Sequence, residues 1–388
     1  MRIAMLALSD FETDSRVRRA ADALAERGHQ VDLFCVASKV ATSEPRYPSV
    51  NISRLGISRR RAGTSRYAFE FVAFFLWALA HVTARHLRRR YDVVYVHNMP
   101  NFLVFAALVP KMGGASVVLD VHDPAPELVA SIHGGHPPGW LLRLARVEER
   151  VSLSIANAVI TVNESMRRRM VALCPTRVPV AVVMNLPDPT RFVPPPMSPG
   201  SRNGHHLVYS GNIAYRNGVD LVVRAVGQLA DEFPSLRLRV IGDGEAASAV
   251  SALARDLGVG ERVEFLHWVP YEQLPRLVAD ATAGISPQRE DIFGSLVFSM
   301  KVPDYVSLGL PVICSAIPTM RHYFTDDELL FFEPGSTDDL AAAIRKVLTD
   351  PAAAQERAAR ARQKLERLDP SAQEETLIST VEASRRSR

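Results

Sequence analysis

The sequence predicts an α/β protein made of two consecutive doubly wound domains, each a parallel sheet covered by helices on both faces. Three observations carry this. Short β-rich runs alternate with longer segments of helical period along most of the chain, as in repeated strand-helix-strand units. The short runs are almost continuously apolar, as strands buried on both faces must be, whereas half-exposed antiparallel strands alternate. The alternation breaks once, in a stretch dense in Pro, Gly and Ser, and then restarts.

The first unit opens with the strand RIAMLAL, continues with the helical spacing of SRVRRAADALAERG up to Gly28, and returns as the strand HQVDLFCVA. Parallel strands need a crossover of about this length. YDVVYVHN, ASVVLDVHD, NAVITVN and VPVAVVMN supply further buried strands. The stretch from Leu186 to His206 reads as a linker, dividing residues 1–190 from residues 205–370. HLVYSG, LRLRVIGDG, VEFLHWV, AGISP, LPVICSA and ELLFFEPG then form a second set, separated by helices such as VDLVVRAVGQLADEF. In open sheets of this kind ligands bind beyond the carboxyl ends of the strands, so a cleft between the two domains is expected to hold the site.

Composition narrows the class. With 47% hydrophobic and 23% charged residues and a formal net charge of +4, the chain is an ordinary globular protein rather than a disordered or fibrous one. Three distant cysteines, Cys35, Cys174 and Cys314, lack the spacing of a zinc site or a disulfide framework, so no metal is expected and a cytosolic setting is. The opening residues lack the succession of a signal peptide. The longest apolar stretch, Tyr67 to Val82, is interrupted by Glu70 and falls short of the ~20 residues of a membrane span. The charge is nevertheless uneven. Between Arg54 and Arg90 there are nine arginines and one acid, Glu70, which leaves the rest of the chain net negative. Arg59-Arg60-Arg61 and Arg88-Arg89-Arg90 bracket the apolar run, which is either a helix lying on an anionic bilayer or a core helix with solvated ends. No nucleic-acid-binding motif accompanies the charge.

The chemistry-bearing residues cluster at strand ends. In VIGDGEAASAV, Gly242 and Gly244 stand between a strand and a helix, with Ala247 completing a weak glycine fingerprint; either the amides there receive a phosphate or the turn is merely tight. In YSGNIAYRNGVDL, Gly211, Asn212 and Arg216 follow a strand, and Arg216 is either a phosphate fork or a solvated loop residue. In SMKVPDYVSLGLPVICS, Lys301 and Asp304 share a helix face that ends at Gly309; they suit a nucleotide sugar, with Lys on the diphosphate and Asp on ribose hydroxyls, or else form a surface ion pair.

The segment PDYVSLGLPVICS resembles the motif of glycosyltransferase family 4, in which a helical carboxylate precedes a small residue, Gly, Pro, Val and a strand. DSRVRRAADALAERGHQVDLF, the stretch from YDVVYVHN to DVHDPAPEL, NAVITVNESM, VVMNLPDPTRF, YSGNIAYRNGVDL and PTMRHYFTDDELLFFEPGSTDDLAAAI resemble the same family in the same order. The likeness is nearest to a bacterial branch associated with polysaccharide assembly. It implies a GT-B fold, two Rossmann-like domains facing each other across a cleft, with a C-terminal helix, about 371–388, crossing back onto the first. It also implies a metal-independent hexosyl transfer from a nucleotide-diphosphate sugar, UDP or GDP sugar foremost, with retained configuration. The acceptor would be a glycan, a lipid-linked or a small-molecule hydroxyl; the arginine asymmetry, separately, points to anionic membrane as a peripheral partner at the inner face of the cell membrane.

By this resemblance Lys301 and Arg216 are the catalytic cations, and Gly211, Asn212, Gly242, Gly244, Asp304 and Tyr305 complete the donor site. The family's two glutamates seven residues apart are altered, with Asp304 at the later position and Leu296 at the earlier, which leaves Glu290 or Asp291 to supply the missing carboxylate. Asn212 stands where an Arg is usual. In the first domain His122 and Asp123 would touch the transferred sugar or the acceptor, with His97 and Asn98 in the same layer and Glu127 as the candidate to orient or deprotonate an acceptor hydroxyl. Asp10, Asp14 and Arg16 are acceptor-side candidates. Two rivals share the fold: a nucleotide-sugar epimerase, and an inactive membrane-associated partner in which Leu296 and Asn212 mark lost chemistry.

Overall fold

The computed structural model describes residues 1–38, 47–57, 64–190, 192–193 and 205–386. The triplet Arg59-Arg60-Arg61 and residues 194–204 of the Pro-rich stretch lie outside them. The chain divides into two compact units, Met1–Asn185 with Ser371–Arg388, and Leu186–Pro370.

The first unit is built on β1 (Arg2–Leu6), β2 (Gln30–Val36), β3 (Val50–Leu55), β4 (Val93–His97), β5 (Ser116–Val121), β6 (Ala158–Thr161) and β7 (Val180–Val182). These strands pair in parallel in the order β3-β2-β1-β4-β5-β6-β7. The crossovers are α1 (Ser15–Glu26), α2 (Thr64–Arg88), α3 (Leu108–Met112), α4 (Ala125–Ile132), α5 (Gly139–Ile155) and α6 (Glu164–Leu173). Asp14 caps α1 by accepting from the amides of Arg16 and Val17, and Asn163 caps α6 through Met166. Strand β3, which sequence reasoning passed over, is an edge strand in which only Val50 is buried, so its polar alternation hid it.

The second unit repeats the plan with β8 (His206–Ser210), β9 (Arg237–Ile241), β10 (Val263–Leu266), β11 (Ala283–Ser286), β12 (Val312–Ser315) and β13 (Leu330–Phe332), in the order β10-β9-β8-β11-β12-β13. Its helices are α7 (Val219–Leu229), α8 (Ala247–Asp256), α9 (Leu274–Val278), α10 (Lys301–Ser307), α11 (Pro318–Tyr323), α12 (Thr337–Thr349) and α13 (Pro351–Arg367). A last helix, α14 (Pro370–Arg386), buries Leu377, Ile378 and Val381 in the core shared by α1 and the first sheet. Ser116 Oγ donates to Ser384 O at 2.8 Å, and His29 meets Glu382 at 3.1 Å.

Helix α2 is a core helix on one side only. Phe74, Ala78 and Val82 are fully buried on one side, while Phe69, Val72 and Leu76 are exposed on the other. No described helix is long and apolar enough to cross a membrane.

Candidate functional site

In each sheet the strand order reverses once, between β1 and β4 in the first unit and between β8 and β11 in the second. Loops leaving such a switch point diverge to opposite faces and open a crevice. A polar cluster forms at each of them.

In the second unit, β8 delivers Gly211 with φ +130°, where a Cβ would stand 3.0 Å from Lys301 Cε. The absent side chain is the space Lys301 occupies as it enters from the start of α10, its Nζ 5.0 Å from the centre of the Tyr209 ring. Tyr209 is fixed in turn by donating to Asn212 O at 2.7 Å, and Asn217 Nδ2 donates to the same oxygen at 2.6 Å. Burial pulls the Lys301 ammonium down to about 8, with the positive charge of Arg216 adding to that pull and Asp304 opposing it. Among the described residues neither Lys301 nor Arg216 has a carboxylate within ion-pair distance. The neighbouring Arg289 is engaged instead, bidentate to Asp220 at 2.7 and 2.8 Å and stacked 4.0 Å from the centre of the Tyr215 ring. Two cations near enough to repel, with no carboxylate in ion-pair distance, suit an anionic ligand.

Several expected donor residues have different work. Asp304 is nearly buried and accepts from Tyr271 Oη at 2.6 Å, so it does not stand beside Lys301 as an open surface pair. Tyr305 is wholly buried; its hydroxyl meets the Ser210 amide and Oγ at 2.8 and 2.9 Å, and its ring fills the space beside Gly284. It braces the end of β8 and does not reach a ligand. Gly242 and Gly244 are close-packing glycines: a Cβ would come within 2.1 Å of Gly211 O at the first and 2.2 Å of Ile213 O at the second. The Gly242 amide is already given to Leu266 O at 2.9 Å, so it is not open to a phosphate. Asp291 closes its own turn through the Gly294 amide, and Glu290 lies 3.4 Å from Ser295 Oγ.

In the first unit, register places His97 of β4 opposite Asp120 of β5, and the two-residue period of a strand puts His122 on the same side as Asp120. Asp120 Oδ2 lies 3.3 Å from His97 Nδ1 and 3.2 Å from His122 Nε2, and it accepts from Tyr95 Oη at 2.7 Å. The imidazoles stack nearly parallel, their nearest nitrogens 3.2 Å apart. Burial raises the Asp120 carboxyl, but His122 and then His97 overcome it and hold it far below the usual carboxylate range. Burial also holds His97 below its ordinary value, towards the neutral form. Among the described residues this trio has the donor types and proximity of a metal-binding group.

Asn98 Oδ1 accepts from the amides of His122 and Asp123 at 2.8 and 3.4 Å, and its Nδ2 donates to Asp123 O at 2.7 Å, which fixes the turn after β5. Asp10 holds the preceding loop through the Thr13 amide at 2.8 Å. Asp14 pairs with Arg16 at 3.3 Å; burial raises its carboxyl, yet Arg16, His97 and His122 keep it well below the usual range. Glu127, expected to orient or deprotonate an acceptor hydroxyl, is engaged by an arginine. It is bidentate to Arg169 at 2.9 and 2.7 Å, and Arg169 also grips the buried Glu149. Tyr95, Asp120, Arg169, Tyr209 and Tyr271 escaped sequence reasoning; only Asp120, two residues before His122 on one strand, left a readable signal.

Residues 13–185 match the family described as glycosyl transferase 4-like domain, and residues 201–364 match glycosyl transferases group 1. The chain is of the family 4 glycosyltransferase type. This glycosyltransferase is 27% identical to glycogen synthase of Mycobacterium tuberculosis over 367 residues, 90% of the chain and 85% of the relative. It is 27% identical over 241 residues to the GDP-mannose-dependent alpha-(1-6)-phosphatidylinositol monomannoside mannosyltransferase of Mycolicibacterium smegmatis, 58% of the chain and 62% of the relative. Among solved structures, sucrose-phosphate synthase from Thermosynechococcus elongatus superposes with a TM-score of 0.77 at 18% identity, covering 95% of this chain and 94% of that one. Anabaena HepE in complex with UDP-glucose superposes at 0.73 and 14% identity, covering 99% and 100%. The fold is therefore GT-B.

Proposed function

We propose that this glycosyltransferase moves a hexosyl group from a nucleotide-diphosphate sugar to an acceptor hydroxyl with retained anomeric configuration and without a metal ion. The observation that carries the reading is the pair of cations without an ion-paired carboxylate, Arg216 and Lys301, at the switch point of the second sheet. As the glycosidic bond breaks, negative charge grows on the departing diphosphate, and cations already in place stabilise it more than they stabilise the bound donor. Gly211 and Asn212 line the same loop, and Asp304, aimed by Tyr271, is assigned to the ribose hydroxyls. The names of relatives and neighbours, one GDP-mannose-dependent and one solved with UDP-glucose, favour a UDP or GDP sugar.

In the first unit His122 and Asp123 are assigned to the transferred sugar and the acceptor. No strong protein base is required, because the departing phosphate can take the acceptor proton on the face from which it leaves. The engagement of Glu127 by Arg169 accords with this. The acceptor class is a glycan, a lipid-linked saccharide or a natural-product hydroxyl, in cell-surface polysaccharide, glycolipid or glycoside synthesis, with the enzyme at the inner face of the membrane. Lys301→Ala is expected to lower turnover at saturating donor by about 10²-fold or more in a purified assay. Unchanged turnover removes Lys301 from the mechanism. A thermal-shift panel of UDP, GDP, dTDP and ADP sugars identifies the donor, since ligands that bind only the folded state raise its midpoint. Donor incubated alone and recovered with changed sugar configuration marks an epimerase instead.

A further inference from the structure

Ten of the seventeen exposed large hydrophobic side chains among the described residues lie on three helices of the first unit, α2, α3 and α5. On α5, Trp140, Leu144, Val147 and Val151 recur at the spacing of one helix face and are 68%, 57%, 53% and 43% exposed. A globular helix normally turns such a stripe inward. Here the inward side is occupied by Leu153, Ser152 and Glu149, the last neutralised by Arg169. On α2 a second stripe runs outward through Phe69, Val72 and Leu76 to Leu87.

The helices form one layer. The 3-10 turn at Asn101–Ala107 lies between α2 and α5, with Phe102 edge-on to Phe71 and Phe75 of α2, and Asn101 donating to Glu148 of α5 at 3.1 Å. From that turn α3 emerges with Met112 exposed. Monomeric proteins rarely leave apolar surface of this extent uncovered without a partner for it.

Charge selects the partner. Exposed Arg143, Arg146 and Arg150 are interleaved with the apolar stripe of α5, and exposed Arg88, Arg89 and Arg90 follow that of α2. Among the described residues none of the six has a carboxylate within ion-pair distance, and the one acid of α2, Glu70, is buried. Two copies of such a face would repel each other. An anionic bilayer accepts it, because phosphates neutralise guanidinium groups at headgroup depth while the apolar side chains and Trp140 sink below.

We infer that the α2-α3-α5 face of the first unit is a docking surface for anionic lipid bilayer, with α5 as its principal contact. This rests on the peripheral-membrane reading above and extends it to α3 and α5, which the arginine-rich sequence segment does not include. It stands independently of the transfer chemistry. The full chain is sedimented with vesicles of phosphatidylcholine with and without phosphatidylglycerol. Binding is expected only with the anionic lipid, weakening as salt rises, and Arg143→Gln/Arg146→Gln/Arg150→Gln is expected to reduce it about tenfold or more. Wild-type tryptophan fluorescence is expected to shift to the blue on binding, a shift missing from Trp140→Phe. All four positions are exposed, and an unchanged donor-induced thermal shift in the triple variant separates lost docking from lost donor binding. Equal sedimentation with neutral vesicles, undiminished binding of the triple variant, or an unshifted Trp140 in the bound state overturns the inference. So does self-association of the wild type that these substitutions abolish, which would make the face a protein interface.

Discussion

The two polar clusters occupy the same topological position in their sheets and treat charge in opposite ways. At the β1/β4 switch point of the first unit, ionic groups are largely consumed by one another: Asp14 by Arg16, and Asp120 by His97, His122 and Tyr95; farther along the unit Arg169 consumes Glu127 and Glu149. At the β8/β11 switch point of the second, Arg289 is consumed by Asp220, while Arg216 and Lys301 have no described carboxylate within ion-pair distance, Asp304 acting on Lys301 only from farther off. A compensated cluster fixes shape, since each group is held by the others. An uncompensated pair holds free energy in reserve that only an incoming anion releases. In the proposed reaction this difference gives the electrostatic work to the second unit and the positioning work to the first.

The sharpest way to break this contrast is to remove charge from both sides. Arg216→Gln, like Lys301→Ala, is expected to reduce kcat by about 10²-fold or more. Glu127→Gln is expected to cost less than about tenfold in kcat while lowering the thermal midpoint. Equal losses in steady-state kinetics would erase the distinction. Next in size, Gly242→Ala is expected to destabilise the protein by about 2–4 kcal/mol in denaturant unfolding, because its Cβ would meet the backbone of Gly211 at an unfavourable φ of +132°. A near-neutral result would return Gly242 to the role of ligand-facing glycine.

Lys301 also couples charge to stability. Its folded pKa of about 8 lies below the ordinary 10.5, so the unfolded chain binds more protons between those values and stability rises with pH through that window. Below about 8 the full cost of the buried charge is present. Lys301→Met is therefore expected to raise the thermal midpoint of the ligand-free protein by a few degrees at pH 7, with the advantage fading as the pH approaches 10.5. In the wild type kcat/KM is expected to fall above about pH 8 as the ammonium of the free enzyme is lost. The smallest effect expected is that of Tyr271→Phe, a severalfold rise in donor KM with kcat nearly kept, from losing one hydrogen bond to Asp304.

Local pattern carried much of this. Continuous apolar runs such as VVYVH and VVLDV announced parallel strands, and Gly28 and Gly309 marked helix ends through conformations with positive φ. Lys301 and Arg216 were legible as cations next to strand ends. Their lack of partners was not, because it depends on where every carboxylate of the unit comes to rest. Asp304 looked available until Tyr271, thirty-three residues earlier, proved to donate to it. Tyr305 looked like a ligand contact until packing put its ring beside Gly284.

By itself the sequence determined two parallel αβ layers, where each chain segment turns, and which residue types gather at the carboxyl ends of the strands. These follow from hydrophobic period and backbone preference, which act over a few neighbours. Only the tertiary structure decided which charges are spent and which remain, which glycines serve close packing, and which face of α2 and α5 meets solvent. Those outcomes depend on desolvation and on partners far away along the chain, and no short window of sequence contains them.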